Sequence, residues 1–134
     1  MNKKKEKATK RLAANIWTKS LAKEGSVPIV HRFLESYHEL EPHSLTHGEA
    51  IFVIHLLACK SVATAPRPTF KRLAQLMGIT DKQARRYAQS LEAKGLLKRQ
   101  YRVGEANQFD LTPLLAALEG HRQRNKDAKE AWTA

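Results

Sequence analysis

The chain of 134 residues has one cysteine, Cys59, so no disulfide framework holds it together. With 42% hydrophobic residues, a chain of this length can bury an ordinary core without such staples. No segment approaches the roughly 18 apolar residues of a membrane span. The basic start, MNKKKEKATK, is not followed by the apolar stretch of a secretory signal, and the expected compartment is a reducing cytoplasm. Catalytic signatures are missing too: there is no Gly-rich phosphate loop, no serine nucleophile elbow and no pair of carboxylates beside a histidine. The chain is expected not to be an enzyme and to need no cofactor.

Acidic residues are scarce, 13 against 24 Lys and Arg, which leaves a net charge of +11. The surplus is localised. Residues 1–24 hold eight cations against two acids, and residues 67–102 hold ten against two, while 25–66 and 103–134 are mildly acidic. Two basic blocks create a positive field that steers a polyanion and makes its binding salt-sensitive. An anionic membrane is the weaker candidate for that polyanion, although the N-terminal lysines suit lipid headgroups.

Six histidines, His31, His38, His43, His47, His55 and His121, do not form a metal motif. His43 and His47 are four apart, but Thr46 between them reads as a helix cap and puts them on different elements. No metal is expected. Cys59 sits in an apolar helical pattern, where a free cysteine usually serves as a small hydrophobe.

The most informative segment is FKRLAQLMGITDKQARRYAQSLEAKGLL, Phe70 to Leu97. It reads as two short helices around Gly78-Ile79-Thr80. Gly78 can adopt the positive φ that closes the first helix, and Thr80 with Gln83 forms a capping box that opens the second. At 3.6 residues per turn, Lys82, Arg85, Arg86 and Gln89 share one face, opposite Ala84, Tyr87, Ala88 and Leu91. Arg and Gln match the major-groove edges of guanine and adenine, and Lys serves phosphate or base. Only Asp81 and Glu92 are acidic here, too few for an ordinary mixed-charge solvent face.

Around this segment, apolar spacing predicts a helix from Ala8 to about Lys23 carrying Leu12, Ile16, Trp17 and Leu21, stopped by Gly25. A second helix begins near Pro28 and ends at Pro42, or else Val27 to Val30 is a short extended piece before it. Thr46 and Glu49 form another capping box, opening a helix apolar nearly all round from Ala50 to Ala58 and therefore expected at the centre of the core. Thr69 caps the next helix, with Leu73, Ala74, Leu76 and Met77 facing inward. Leu96 to Val103 and Gln108 to Leu111 read as strands around a polar turn, and Thr112-Pro113 opens a last helix carrying Leu114, Leu115 and Leu118. Beyond Gly120 the pattern allows either a longer helix or fraying. The expected organisation is a basic arm at 1–7, a domain at 8–120 and a polar tail or helix at 121–134.

Helix, helix, turn, helix, basic hairpin, helix is the order of a winged helix-turn-helix, mainly α with a small β-hairpin. The stretch RLAQLMGITDKQARRYAQSLEAKGLLKR resembles the winged-helix cores of bacterial regulators of the multiple-antibiotic-resistance type. It resembles still more the winged-helix domains near the start of phage and plasmid replication initiators. The likeness spans roughly residues 45–118. Tyr87 and Ala88 depart from it, standing where many relatives have Ala or Val and then Leu.

The resemblance implies that Thr80, Lys82, Gln83, Arg85, Arg86 and Gln89 contact double-stranded DNA from a recognition helix at 80–94. Arg99 and Arg102 would touch backbone or minor groove from a wing at 96–111. The function expected is a sequence-specific transcriptional regulator, a repressor associated with the bacterial nucleoid. The alternative is a plasmid or phage replication-initiation or maintenance protein that binds repeated origin sequences, although no ATPase or primase motif follows the winged helix. A homodimer is expected because one recognition helix covers only a few base pairs.

Overall fold

The first helix of the core starts where a reciprocal pair of hydrogen bonds closes its end. The Glu49 amide donates to Thr46 Oγ1 at 3.2 Å, and the Thr46 amide donates to Glu49 Oε1 at 2.8 Å. The computed structural model describes residues 13–60, 68–100 and 108–133. Its elements are α1 (Lys19–Lys23), α2 (His31–Ser36), a 3-10 turn (Tyr37–Glu39), α3 (His47–Lys60), α4 (Phe70–Met77), α5 (Asp81–Ala93), β1 (Lys98–Gln100), β2 (Gln108–Asp110) and α6 (Thr112–Thr133).

The expected continuous helix up to Lys23 is interrupted. Residues 13–16 are helical, but Thr18 is extended (φ −146°, ψ 164°) and its hydroxyl accepts from the Leu21 amide, so it caps a new short helix, α1. None of α1's residues is buried, and Ile16, Trp17 and Leu21 are exposed. Val30 is extended (φ −74°, ψ 147°) and α2 begins only at His31, so the chain before α2 takes the extended alternative rather than a helix from Pro28.

α3 supplies the centre of the core through Phe52, Val53 and Leu56, joined by Leu73 from α4, Leu91 from α5, Phe109 from β2 and Leu114 from α6. Burial of a side chain of this size contributes about 1.5–3 kcal/mol. Two expectations fail in detail. Ile51 on α3 is 47% exposed, so the helix is not covered all round, and Leu76 on α4 is 43% exposed rather than inward.

Gly48 explains the departure at Tyr87. A Cβ at residue 48 would lie 2.7 Å from Tyr87 Cζ, so only glycine lets the ring reach the start of α3, where it stacks on Phe52 with centroids 6.0 Å apart.

The two strands pair antiparallel, Lys98 with Asp110, Arg99 with Phe109 and Gln100 with Gln108. The turn expected at 104–107, like the arm at 1–7, lies outside the described residues. α6 starts on Asp110, whose Oδ1 accepts from the Thr112 amide at 2.9 Å and its hydroxyl at 2.6 Å. The capping oxygen is therefore that of Asp110 rather than Thr112. Of the expected α6 stripe, Leu114 and Leu118 are buried in the chain's own core and Leu115 is exposed.

α6 then continues as helix to Thr133, past Gly120. A side-chain cluster holds it there. His121 is buried, its Nδ1 lies 3.2 Å from Arg32 Nη1 and its Nε2 lies 2.9 Å from Glu39 Oε1. A guanidinium only donates, so Nδ1 accepts and Nε2 carries its proton toward Glu39. The described residues contain no helix long and apolar enough to cross a membrane.

Candidate nucleic-acid interface

α4 and α5 pack closely around a turn whose geometry follows from three residues. Gly78 takes the left-handed conformation (φ 68°, ψ 35°) and its amide reaches back to the carbonyls of Ala74 and Gln75. Ile79 donates to Ala74 O at 3.0 Å, closing the last turn of α4. Thr80 is extended and forms the full capping box with Gln83: the Gln83 amide donates to Thr80 Oγ1 at 3.1 Å, and the Thr80 amide to Gln83 Oε1 at 3.3 Å. Thr69 opens α4 in the same way, accepting from the Arg72 amide at 3.0 Å.

This frame divides α5 into two sides. Ala84, Ala88 and Leu91 are buried against the core. Thr80, Lys82, Gln83, Arg85, Arg86 and Gln89 are all exposed, and four of them, Lys82, Arg85, Arg86 and Gln89, lie together opposite the buried side. Lys71 and Arg72 on α4 and Lys98 on β1 are exposed as well.

Arg85 is not a freely waving cation. Its guanidinium carbon sits 5.8 Å from the centroid of the Phe70 ring, at the start of α4. Such stacking is worth about 0.5–1 kcal/mol at an exposed site and limits the orientations of the group.

Arg99 is placed differently from a wing contact. Its side chain is 8% exposed, it forms an ion pair with Glu92 of α5, and its guanidinium carbon lies 5.3 Å from the centroid of the same Phe70 ring. That ring in turn meets Phe109 of β2 edge-on at 5.8 Å. Arg99 thus ties the hairpin to α4 and α5 and is not offered to a phosphate. The reason is strand alternation: Arg99 pairs with Phe109, and both side chains point inward. Arg102 lies outside the described residues.

Three positioning residues escape a reading of local pattern. Phe70 carries two guanidinium groups, Glu92 holds Arg99, and Lys94 closes the far end of α5. Lys94 Nζ donates to Glu49 Oε1 at 2.6 Å and to the Ser44 carbonyl at 2.8 Å, locking the end of α5 to the start of α3. Burial of Glu49 raises its carboxyl pKa. Bonds from Lys94, the Thr46 backbone and Ser90 outweigh that penalty and hold it below the usual carboxylate value. Burial pushes the Cys59 thiol up, away from the thiolate form, and pushes the His55 imidazole down.

No curated protein matches the chain. A family model does: residues 43–97, from just before the Thr46 cap through α3, α4 and α5 to the entrance of the hairpin, match the model described as a helix-turn-helix domain. Over the described residues of this segment the geometry is consistent with that match, α4 and α5 packing as two helices around the Gly78–Thr80 turn.

Proposed function

We propose that the chain is a sequence-specific double-stranded DNA-binding regulator of transcription, a repressor, that reads the major groove with the helix at 80–94. The observation that carries this reading is the exposed row Lys82, Arg85, Arg86 and Gln89, set opposite the buried Ala84, Ala88 and Leu91 on a helix fixed at both ends. Arg is suited to guanine O6 and N7, Gln to adenine N6 and N7, and a rigid helix supplies the register that such bidentate contacts need. Thr80 and Gln83, at the helix start, stand where the first turn meets the backbone.

Wing contacts fall to Arg102 and to the exposed Lys98, while Arg99 acts as the residue that fixes the hairpin's angle. The protein works as a homodimer on a two-fold site. The exposed Ile16, Trp17 and Leu21 near the N-terminus support that assignment, because large apolar side chains left in water gain most by covering a like surface. The test is recovery of bound genomic DNA. Enrichment of an inverted repeat over a promoter is the expected result, and enrichment of iterated direct repeats at an origin would replace the transcriptional role with a replicative one.

A further inference from the structure

α6 runs for 22 residues, about 33 Å at 1.5 Å per residue, but only its first half lies on the body of the protein. Leu111, which precedes it, Leu114, Leu118 and His121 are buried. The same spacing, alternately three and four residues, continues through Asn125, Ala128 and Trp132. Those three are exposed, Trp132 to 90%. The row has the a/d spacing of a heptad seam of the kind two helices share, with polar residues at two consecutive positions, His121 and Asn125. Half of it is satisfied inside the chain and half is bare.

Charge decides what covers the bare half. The positions that flank a heptad seam are held by Arg122 and Lys129 on one side and Arg124 on the other, and no acidic residue flanks it from 122 to 132. The acids of this stretch, Asp127 and Glu130, sit on the outer face, away from the seam. Pairing two copies of the helix would set cations against cations across it, which is unfavourable in either direction. Arg122 bonds to Glu119 at 3.0 Å, but both are well exposed, so exchanging that partner costs little.

We infer that the exposed half of α6 is a docking surface for a different protein: one acidic amphipathic helix, with apolar residues along its seam and Glu or Asp beside them. Trp132 is the anchor, since a fully exposed tryptophan on a helix face is the residue type that dominates interface energies once covered. Asn125 sets the register of the partner. A cationic regulator bound to DNA would in this way present a recruitment arm that needs no part of the recognition helix.

The test uses the full chain with Trp17→Phe, which leaves Trp132 as its one tryptophan. Two synthetic heptad peptides are the probes, identical in Leu and Ala at the seam and carrying Glu or Lys at the flanks. The Glu peptide should shift Trp132 emission to the blue and saturate, and the Lys peptide should not. Charge reversal, Arg122→Glu with Arg124→Glu and Lys129→Glu, should weaken the Glu peptide by about tenfold or more, the size of a 1.4 kcal/mol loss. Arg85→Ala with Arg86→Ala should leave peptide binding unchanged, which separates this surface from the DNA-reading one. Equal binding of both peptides, or no response to charge reversal, overturns the inference. A fall in sedimented mass for Trp132→Ala without peptide would instead make the seam a self-interface. Loss of DNA affinity on charge reversal, with peptide binding intact, would make the cations phosphate contacts.

Discussion

Single residues settle how α5 is held. Gly48 and Tyr87 are two halves of one contact, since a Cβ at 48 would meet the ring at 2.7 Å from Cζ. Gly48→Ala is expected to destabilise the fold by about 1–3 kcal/mol, the usual range for forcing extra volume into a packed site. Combined with Tyr87→Ala, which empties that space, the loss should be clearly smaller than the sum of the two single losses. Urea unfolding of the four proteins measures the coupling, and strict additivity would contradict the contact. The Glu49–Lys94 pair gives a second residue-scale prediction. The folded carboxyl lies below its ordinary value of 4.5, so its contribution is fully present at neutral pH and is lost as pH falls through the folded value. Lys94→Met leaves the Glu49 charge buried without its ammonium and should cost about 3 kcal/mol at pH 7. The gap from wild type should narrow as pH falls through the folded value, because protonation of Glu49 removes the ion pair from wild type and the unpaired buried charge from the variant. A gap that stays constant from pH 7 to pH 3 would show that the bond is not what Lys94 supplies.

At the scale of elements, the sequence is most legible where the determining bonds are local. The caps at Thr46, Thr69 and Thr80 and the closing turn at Gly78 each involve atoms within five residues, so spacing alone locates them. The split of α5 into buried and exposed sides follows from helical period in the same way. Legibility ends where a distant partner decides. Nothing beside Arg99 in sequence says that it turns inward to Glu92 and Phe70, because that depends on strand register with Phe109. Helix α6 persists beyond Gly120 because Arg32 and Glu39, more than eighty residues away, grip His121. The break at Thr18 is a local cap set inside a longer apolar stripe, and the stripe alone does not reveal it. Phe70 carries the prediction at this scale. Phe70→Leu keeps an apolar plug but removes the ring that carries Arg85 and Arg99, so DNA affinity, measured well below the thermal midpoint, should fall by about 0.5–1 kcal/mol. Unchanged affinity would mean that stacking does not orient Arg85.

For the whole molecule, the charge asymmetry and the exposed apolar row make separate predictions. Deleting residues 1–7, which hold Lys3, Lys4, Lys5 and Lys7, should flatten the dependence of log affinity on log salt by about 0.9 for each phosphate that the arm no longer neutralises, without altering sequence preference. A slope unchanged by the deletion would remove the arm from the DNA interface. Trp17→Glu with Leu21→Glu places charge on the exposed N-terminal row and should convert a dimer to a monomer by sedimentation, while leaving the fold intact, because neither side chain is buried. A wild-type chain that is already monomeric at micromolar concentration and still binds its site tightly would contradict the two-fold arrangement.

The central claim is that the exposed face of α5 reads bases rather than merely attracting a polyanion, and one comparison tests it most directly. Affinity of wild type, Arg85→Ala and Arg86→Ala is measured by fluorescence anisotropy at a single salt concentration, on the genomic site recovered from bound DNA and on random duplex of equal length. At least one substitution is expected to cost about 1–3 kcal/mol on the recovered site and much less on random duplex. Equal losses on both DNAs would contradict it, assigning the face to phosphate contact and leaving sequence recognition to another part of the chain.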